Sequence, residues 1–275
     1  MEKQNILMLA VFSLITGFTS CSESIINDSF QQTEKEIVLN FGISQLTRTS
    51  TSIDWKTLFI DNDQIGVWGI KREGTDIVHE NLKYEYNKES NEWTAERSIT
   101  FPIDGSDLDF YAYYPYNINM ENTVFDFSVA QNQSLEEEYN QSDLLIAMNK
   151  EATVENTSIV LTFSHQFALV EAEIILPQDQ TLSKVDIYAK KTATVNLLQQ
   201  TTMLKESEAA EYVTMLKVEE KKELFRAIIP AQIVDKGKLF RIITTDGTVY
   251  WYKATEKMNF EANEVTTFSI DCRTL

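Results

Sequence analysis

Alternation between apolar and polar or small side chains recurs along most of the chain. The clearest case is a segment in which Ile37, Leu39, Phe41 and Ile43 alternate with Val38, Asn40 and Gly42. A period of two is typical of a half-buried β-strand. Further short runs predict strands at Ile65–Ile70, Ser98–Ile103, Leu108–Tyr114, Val124–Val129, Ile159–Phe167, Val170–Leu176, Val185–Ala189, Tyr212–Val218, Phe225–Ile229, Leu239–Thr244, Val249–Lys253 and Val265–Asp271.

Turn and helix signals agree with an all-β chain. Asp246-Gly247 lies between two predicted strands and is a strong signal for a two-residue hairpin. Leu135–Asn140 and Lys205–Ala210 are the candidates for a short helical turn or a loop. The polar segment Lys150–Thr157 predicts a bridge between two strand-rich halves. Many short strands with polar turns indicate sandwiches or barrels.

The N-terminus has the layout of a secretory signal peptide over residues 1–20. Lys3 gives a weak positive start, and Ile6–Ile15 is apolar apart from Ser13. This stretch is shorter than the ~20 residues that a membrane-spanning helix needs. We therefore expect cleavage, with an uncut N-terminal anchor helix as the alternative.

The segment Phe18-Thr19-Ser20-Cys21 resembles the lipobox of bacterial lipoproteins. The resemblance implies that Cys21 takes a diacylglycerol and becomes the new N-terminus, anchored by its buried acyl chains. Phe18 stands where Leu is usual, and an ordinary signal-peptide cysteine is the alternative. Ser22 resembles the pattern of lipoproteins sent on to the outer membrane. Residues 21–36 are then expected to form a flexible tether.

Composition restricts the function. The chain of 275 residues carries a formal net charge of −18, which repels phosphate backbones, so we expect no nucleic-acid binding. It has two Cys and two His, too few for a multi-Cys zinc site. It contains no G-x-S-x-G, H-E-x-x-H, C-x-x-C or P-loop motif. We therefore expect no enzyme activity, no metal and no cofactor.

The two histidines are expected to differ. His165 lies on the same side of the alternation as Leu161 and Phe163, which predicts a packed, hydrogen-bonded core histidine rather than a catalytic one. His79 lies in a polar stretch and is expected to be exposed.

Three other features are interpreted as structural. Asp61–Gly66 begins like a calcium loop, but Ile65 occupies a ligand position and Arg72 stands where a bidentate Glu is needed. The acidic triplet Glu136–Glu138 is expected on a solvated loop. If Cys21 is lipidated, Cys272 has no partner and is expected to be a half-buried thiol.

Aromatic residues supply the remaining candidates. Phe110–Tyr116 carries rings on both faces of one predicted strand, and Tyr250-Trp251-Tyr252 does likewise. Core packing is the favoured interpretation, and a half-exposed platform for sugars that uses Tyr113 or Trp251 is the alternative.

An ordered set of motifs resembles the fimbrillin-like family, the lipoprotein subunits of type V pili in Gram-negative bacteria. The most specific motif is Asp109–Tyr116. Where the family commonly has Gly-Asp before Ile-Gly-Val, this chain has Asn62-Asp63-Gln64. The other motifs, in chain order, are Ile37–Phe41, Thr47-Arg48, Trp55, Asp63–Val67, Asp143–Ala147, Leu161–His165, Tyr250–Tyr252 and Phe260–Glu264.

The resemblance implies two transthyretin-like β-sandwich domains in tandem, here residues 37–152 and 153–275, and no enzyme activity. It implies a surface-exposed outer-membrane lipoprotein that is cut after a basic residue, here Arg48, by an Arg- or Lys-specific protease. The released first strand would carry Ile37, Leu39, Phe41 and Ile43, and a strand from a neighbouring subunit would replace it. Partners are then other pilus subunits, the outer membrane through the lipid, and host or bacterial surface ligands.

Alternatives remain open from the sequence. A surface lipoprotein that binds glycans is the second hypothesis, and a secreted hydrolase ranks last because no nucleophile–base pair is evident. The donor strand is either the last predicted strand, Val265–Asp271, or absent because the protein is a terminal subunit. Stalk, tip and anchor roles are equally compatible with the sequence.

Overall fold

β-Strands make up most of the described chain, as the period-two alternation of its sequence predicts. The computed structural model describes residues 35–44, 47–48, 58–218 and 223–275. One short helix, α1 (Glu136–Asn140), and a terminal 3-10 turn (Cys272–Thr274) are the helical elements of these residues. The strands are β1 (Glu36–Ile43), β2 (Thr47–Arg48), β3 (Gln64–Lys71), β4 (Ile77–Asn87), β5 (Glu92–Ala95), β6 (Ile99–Thr100), β7 (Leu108–Tyr114), β8 (Val124–Ser128), β9 (Leu145–Ala152), β10 (Ser158–His165), β11 (Phe167–Ile175), β12 (Leu182–Ala189), β13 (Thr192–Asn196), β14 (Thr201–Leu204), β15 (Glu211–Thr214), β16 (Leu216–Lys217), β17 (Leu224–Pro230), β18 (Gln232–Val234), β19 (Gly237–Thr244), β20 (Val249–Ala254), β21 (Met258–Phe260) and β22 (Glu264–Asp271).

The first half of the chain builds an eight-stranded sheet in the order β5-β4-β3-β7-β9-β10-β1-β6. Its two ends approach each other, because the ring of Phe41 on β1 lies 5.0 Å from that of Tyr84 on β4 and 5.3 Å from that of Trp93 on β5. The sheet therefore curls around one apolar core, to which β1 contributes from one end and β4 and β5 from the other.

The central strands β3 and β7 are buried on both faces, which explains the aromatic residues on both faces of β7. Tyr113 and Tyr111 point away from the core inside the curled sheet, into a second apolar layer. Gly66 on β3 makes room for this packing, since a Cβ atom there would lie 2.2 Å from Cε1 of Tyr113. Core packing was the favoured interpretation of these aromatics, and it is the correct one.

The second half of the chain forms a sandwich. A five-stranded sheet in the order β16-β17-β11-β22-β2 faces a four-stranded sheet in the order β15-β12-β19-β20. Their inner faces share a core to which Val170, Ile187, Phe240 and Phe268 belong. Strand β22 runs parallel to β11 over Leu169–Ile175 and also pairs with β2.

Strands from both halves meet in a third sheet, with the order β14-β13-β8. Strand β8 pairs with β13 from Val124↔Asn196 to Ser128↔Thr192. A third apolar cluster joins Trp68 and Ile146 of the first half to Val195 and Ile228 of the second. The division into sandwich domains at residues 37–152 and 153–275 stays a prediction.

The all-β prediction is confirmed, with local corrections. The segment Lys150–Thr157 was interpreted as a polar bridge, but Lys150, Glu151 and Ala152 end β9 and only the following turn bridges to β10. The sequence pattern also missed β4. The hairpin at Asp246-Gly247 exists, with Gly247 at φ +86°, but its loop spans residues 245–248 rather than two residues.

Candidate functional site

Strand β1 inserts one side of its alternation into the first core. Ile37 is 4% and Leu39 is 7% exposed. Phe41 and Ile43 are partly buried and pack against the same cluster. Val38 faces outward and is 55% exposed. The strand is thus anchored most deeply by its first half.

The backbone of β1 is paired mainly along one edge. It runs parallel to β10 from Val38↔Ser158 to Ile43↔Phe163. The N–H groups of Val38 and Ser44 donate to carbonyls on that side. Because alternate residues of a strand direct their backbone groups to opposite edges, those of Leu39 and Phe41 face away from β10.

That other edge is covered only at its start. Strand β6 pairs with Glu36 and Ile37 alone. Beyond Ile37, no described strand lies beside β1 at this edge. Removing β1 therefore breaks one long ladder and one short one.

An open groove runs along the exposed edge of β1 and has a volume of about 730 Å³. Its walls are residues 38–43 on one side and Tyr86 and Trp93 on the other. Phe59 lies in the groove with its ring 4.7 Å from that of Trp93 and 5.7 Å from that of Phe163. The groove is thus lined by aromatic rings that contact one another and the second half of β1.

Polar contacts of β1 are few. Asn40 Nδ2 donates to Ser158 Oγ at 3.4 Å, and Ser44 Oγ donates to the Phe163 carbonyl at 2.9 Å. Beneath the strand, burial raises the pKa of Tyr84, and the Glu36 carboxylate raises it further. The phenol of Tyr84 therefore stays neutral under the strand, and apolar packing with backbone pairing holds β1.

The chain crosses between sheets directly after β1. Strand β2, with Thr47 and Arg48, pairs in parallel with Glu264 and Val265 of β22, at the edge of the five-stranded sheet. The first strand and the residue predicted for cleavage thus belong to different sheets, with Ser44 and residues 45–46 between them.

A family profile described as fimbrillin-like matches residues 47–274. The chain belongs to the fimbrillin-like family. The match begins in β2, so β1 of this fimbrillin-like chain lies outside it.

Solved structures share the fold of this fimbrillin-like chain. A "putative cell adhesion protein" from Bacteroides uniformis is 19% identical, with a TM-score of 0.62, over 78% of this chain and 88% of that one. A second protein so described, from Bacteroides ovatus, is 13% identical, with a TM-score of 0.66, over 86% of this chain and 92% of that one. A fimbrial protein from Bacteroides ovatus has 17% identity and a TM-score of 0.57, over 86% of this chain and 49% of that one. Among curated proteins, none matches the chain.

The predicted processing residues lie at or beyond the limits of the described chain. Cys21 falls outside the described residues, so its lipidation stays a prediction. The backbone of Arg48 is described and its side chain is not, so cleavage there also stays a prediction.

The two aromatic candidates for a sugar platform are in different environments. Tyr113 is 1% exposed, and its hydroxyl donates to Asn81 Oδ1 at 2.8 Å, so it cannot serve as a surface platform. Trp251 is partly exposed on the outer face of the four-stranded sheet.

The histidine predictions are half right. His165 is buried, and its Nδ1 lies 2.9 Å from Asp143 Oδ1, as expected for a core histidine. The expectation that His79 is exposed is wrong. His79 is 8% exposed, stacks on Phe110 and contacts the Thr100 carbonyl through Nε2 at 2.9 Å. Burial lowers the pKa of His79, and the nearby charge of Arg97 acts in the same direction.

The calcium-like segment is tied to the fold by its own contacts. Asp63 Oδ2 accepts from the Ile60 N–H at 2.7 Å, and Asp63 Oδ1 accepts from the Tyr114 hydroxyl at 3.0 Å. Burial raises the pKa of Asp63. Within the described ranges, no group of three or more His, Cys, Asp or Glu side chains could hold a metal ion. In the same ranges, no helix is long and apolar enough to cross a bilayer.

Two smaller expectations need correction. Cys272 is fully rather than half buried, and it is a free thiol. The Glu136–Glu138 triplet was expected on a loop, but it forms the first turn of α1.

Sequence reasoning missed the groove itself. Phe59 and Trp93 carry its aromatic contacts, yet neither lies in a predicted strand. The alternation of Trp93 and Ala95 with Glu92 and Thr94 was the available signal for β5. The position of β5 opposite β1 depends on the curl of a sheet built from strands distant in sequence.

Proposed function

We propose that the protein is a non-enzymatic structural or accessory subunit of a type V pilus, assembled by protease-triggered strand exchange. The observation that carries the proposal is the position of β1, which pairs with β10 from Val38 to Ile43, with β6 only at Glu36 and Ile37, and borders an open aromatic groove. The fimbrillin-like family and the fimbrial and adhesion proteins that share the fold support a pilus-related role.

In this proposal a protease cuts after Arg48 and frees β1. Ile37 and Leu39 are nearly fully buried, so their loss removes about 3–6 kcal/mol of gross hydrophobic stabilisation. The partly buried Phe41 and Ile43 add less. In this proposal, the free energy lost when β1 leaves is large enough to favour its replacement by another strand. It is also small enough for a strand from a neighbouring subunit to compete with β1 for the site.

The vacated site suits a strand from a neighbouring subunit. The free edge of β10 would supply main-chain hydrogen bonds, and the pockets of Ile37 and Leu39 would fix the register. Such a contact joins two different surfaces, so repetition builds an open filament rather than a closed ring.

The same cut removes β2. Strand β22 then keeps only β11 as a neighbour in its sheet. It could become a donor only by withdrawing Phe268 and Ile270 from the second core, where both are buried. The alternative is a terminal subunit that accepts a strand and donates none.

The lipid on Cys21 supplies the outer-membrane anchor in this proposal. Each buried CH₂ of an acyl chain contributes about 0.8 kcal/mol to membrane binding, and stable anchoring takes more than one chain. A cut after Arg48 leaves the fragment that carries β1 as the only link between the body of the subunit and this lipid, so replacement of β1 would join assembly and release from the membrane in one event.

Limited trypsin digestion of the purified protein tests the proposal. We expect a new N-terminus at Thr49 and a ladder of multimers on gels run without boiling. A synthetic peptide of residues 35–48, added in excess, should occupy the site vacated by β1 and suppress the ladder.

The matched control is Arg48→Gln, which should stay monomeric under the same digestion. A clean cut after Arg48 that yields only monomers and no uptake of the peptide of residues 35–48 would refute strand exchange for this chain. Monomers that do take up the peptide would indicate a terminal subunit that accepts a strand and donates none.

A further inference from the structure

The outer face of the sheet β15-β12-β19-β20 carries a pocket that strand exchange does not use. It is open, with a volume of about 840 Å³, a size typical of small-molecule sites. Side chains of β12, β15 and β19 line it, together with the segment Gln131–Ser134 that follows β8.

A buried carboxylate holds the cations of this pocket in place. Asp186 is 0% exposed. Its Oδ2 accepts from Arg241 Nε at 2.8 Å and lies 2.6 Å from Arg241 Nη2. Its Oδ1 accepts from Thr214 Oγ1 at 2.8 Å and lies 3.2 Å from Lys184 Nζ. Both cations are thereby paired with Asp186 before any ligand arrives.

The charges leave the pocket with an excess of one positive charge. Lys184 and Arg241 share the single carboxylate of Asp186. Glu211 also lines the pocket, but it is paired with Lys191 at 2.7 Å. This local excess attracts an anion, in opposition to the net charge of −18 of the whole chain.

Aromatic rings border the cations. Tyr188 and Tyr212 are directly opposed across β12 and β15, with ring centroids 5.0 Å apart. Trp251 continues the row, 5.7 Å from Tyr212. The guanidinium carbon of Arg241 lies 4.2 Å from the Tyr212 centroid. These half-exposed rings combine an apolar surface with the hydroxyl groups of the two tyrosines and the indole N–H of Trp251.

The wall of the pocket is rigid. Thr214 N–H donates to the Gln131 carbonyl at 2.8 Å, and the Gln133 N–H donates to the Thr214 carbonyl at 2.9 Å. The Gln133 side chain is buried and bonds both backbone groups of Ile228, at 2.8 and 2.9 Å. A register shift between Leu182 and Lys184 places Ser183 and Lys184, adjacent in sequence, in the lining together.

We propose that this pocket binds an acidic saccharide, with the carboxylate of a uronic- or sialic-type sugar against Lys184 and Arg241. The remaining lining offers amides and hydroxyls that both donate and accept, which suits the hydroxyl groups of a sugar. These groups are Gln131, Asn132, Ser134, Ser183 and Tyr188. An acidic peptide would also pair with the cations, so the test below compares the two ligands directly.

Calorimetric titration of the uncut chain with a hyaluronan tetrasaccharide tests the proposal. The carboxyl-reduced tetrasaccharide has the same rings without the charge and should bind at least about tenfold more weakly, as expected for loss of a charge-assisted hydrogen bond. Lys184→Gln should cause a similar loss, while Arg241 and Thr214 continue to satisfy Asp186 and preserve the fold. The matched control is Lys83→Gln, which removes a lysine from β4 of the eight-stranded sheet. This variant should leave binding unchanged.

Three results would overturn the proposal: no binding of the tetrasaccharide at millimolar concentration, equal binding of its carboxyl-reduced form, or unaltered affinity in Lys184→Gln. Tighter binding of a glutamate-rich peptide than of the tetrasaccharide would assign the pocket to a protein ligand instead. The assay uses uncut monomer, so its outcome is independent of strand exchange.

Discussion

The contribution of β1 to the stability of the first core can be measured by truncating one inward side chain. In Leu39→Ala, a side chain that is 7% exposed loses its contacts. Buried Leu→Ala changes cost about 2–5 kcal/mol, and sites that can relax lie at the lower end. Because Leu39 borders the open groove, we expect the free energy of unfolding to fall by about 2–3 kcal/mol.

The matched control lies next to it on the same strand. Val38 points outward and is 55% exposed, so Val38→Ala should change the free energy of unfolding by less than about 0.5 kcal/mol. Urea unfolding followed by tryptophan fluorescence measures both. With a slope of about 2–3 kcal/mol/M, the midpoint of Leu39→Ala should fall by about 1 M.

The same pair of variants separates strand release from global stability. After a cut at Arg48, the fragment that carries Leu39→Ala should dissociate at least about tenfold faster than the wild-type fragment, since each 1.4 kcal/mol is a factor of ten. Equal unfolding midpoints for Leu39→Ala and Val38→Ala would refute the conclusion that β1 is held by its inward alternation.

Further predictions concern packing, thiol chemistry and pH. Gly66→Ala places a Cβ 2.2 Å from a tyrosine ring and should destabilise the fold by about 1–3 kcal/mol in urea unfolding, whereas Gly42→Ala, with nothing within 4 Å, should not. Burial raises the pKa of Cys272 to about 11, so Ellman's reagent at pH 8 should label it only after denaturation. Burial lowers the pKa of His79 from 6.5. As the pH drops, the unfolded state therefore binds a proton at this histidine before the folded state does. The free energy of unfolding should then fall as the pH drops through about 6.5, and His79→Gln should reduce that fall between pH 7.5 and 5.5.

Each of these expectations has a contrary result. Equal stability of Gly66→Ala and Gly42→Ala would contradict the close approach of β3 and β7. Rapid labelling of Cys272 in a folded Cys21→Ser background would contradict its burial. An unchanged pH slope in His79→Gln would mean that other groups control acid stability.

Alternation along the sequence predicted those strands whose outward residues are polar and whose inward residues are apolar. It worked for β1, where Ile37 and Leu39 are the buried residues. It failed for β4, whose mixed sequence IVHENLKYEYN contains irregular pairing with β3 near Gly69. Such a strand is specified by its neighbours rather than by its own periodicity.

The candidate site was predictable only in part. The inward residues of β1 follow from local pattern, but its parallel pairing with β10 joins residues about 120 positions apart, and local periodicity has no bearing on that choice. His79 was misjudged because the segment around it is polar apart from Ile77 and Val78, while its burial comes from Phe110 and Thr100. The pocket around Asp186 likewise assembles from segments that only the fold brings together.

The shared sheet of β8 and β13 has a mechanical consequence. Two bodies joined by a bare linker would hinge under load, and relative motion is the usual behaviour of such pairs. Here five opposed residue pairs, from Val124↔Asn196 to Ser128↔Thr192, connect the halves. If strand exchange builds a fibre from such units, tension on the fibre would have to rupture that ladder before the halves could separate, so each unit should behave as a stiff link rather than a spring.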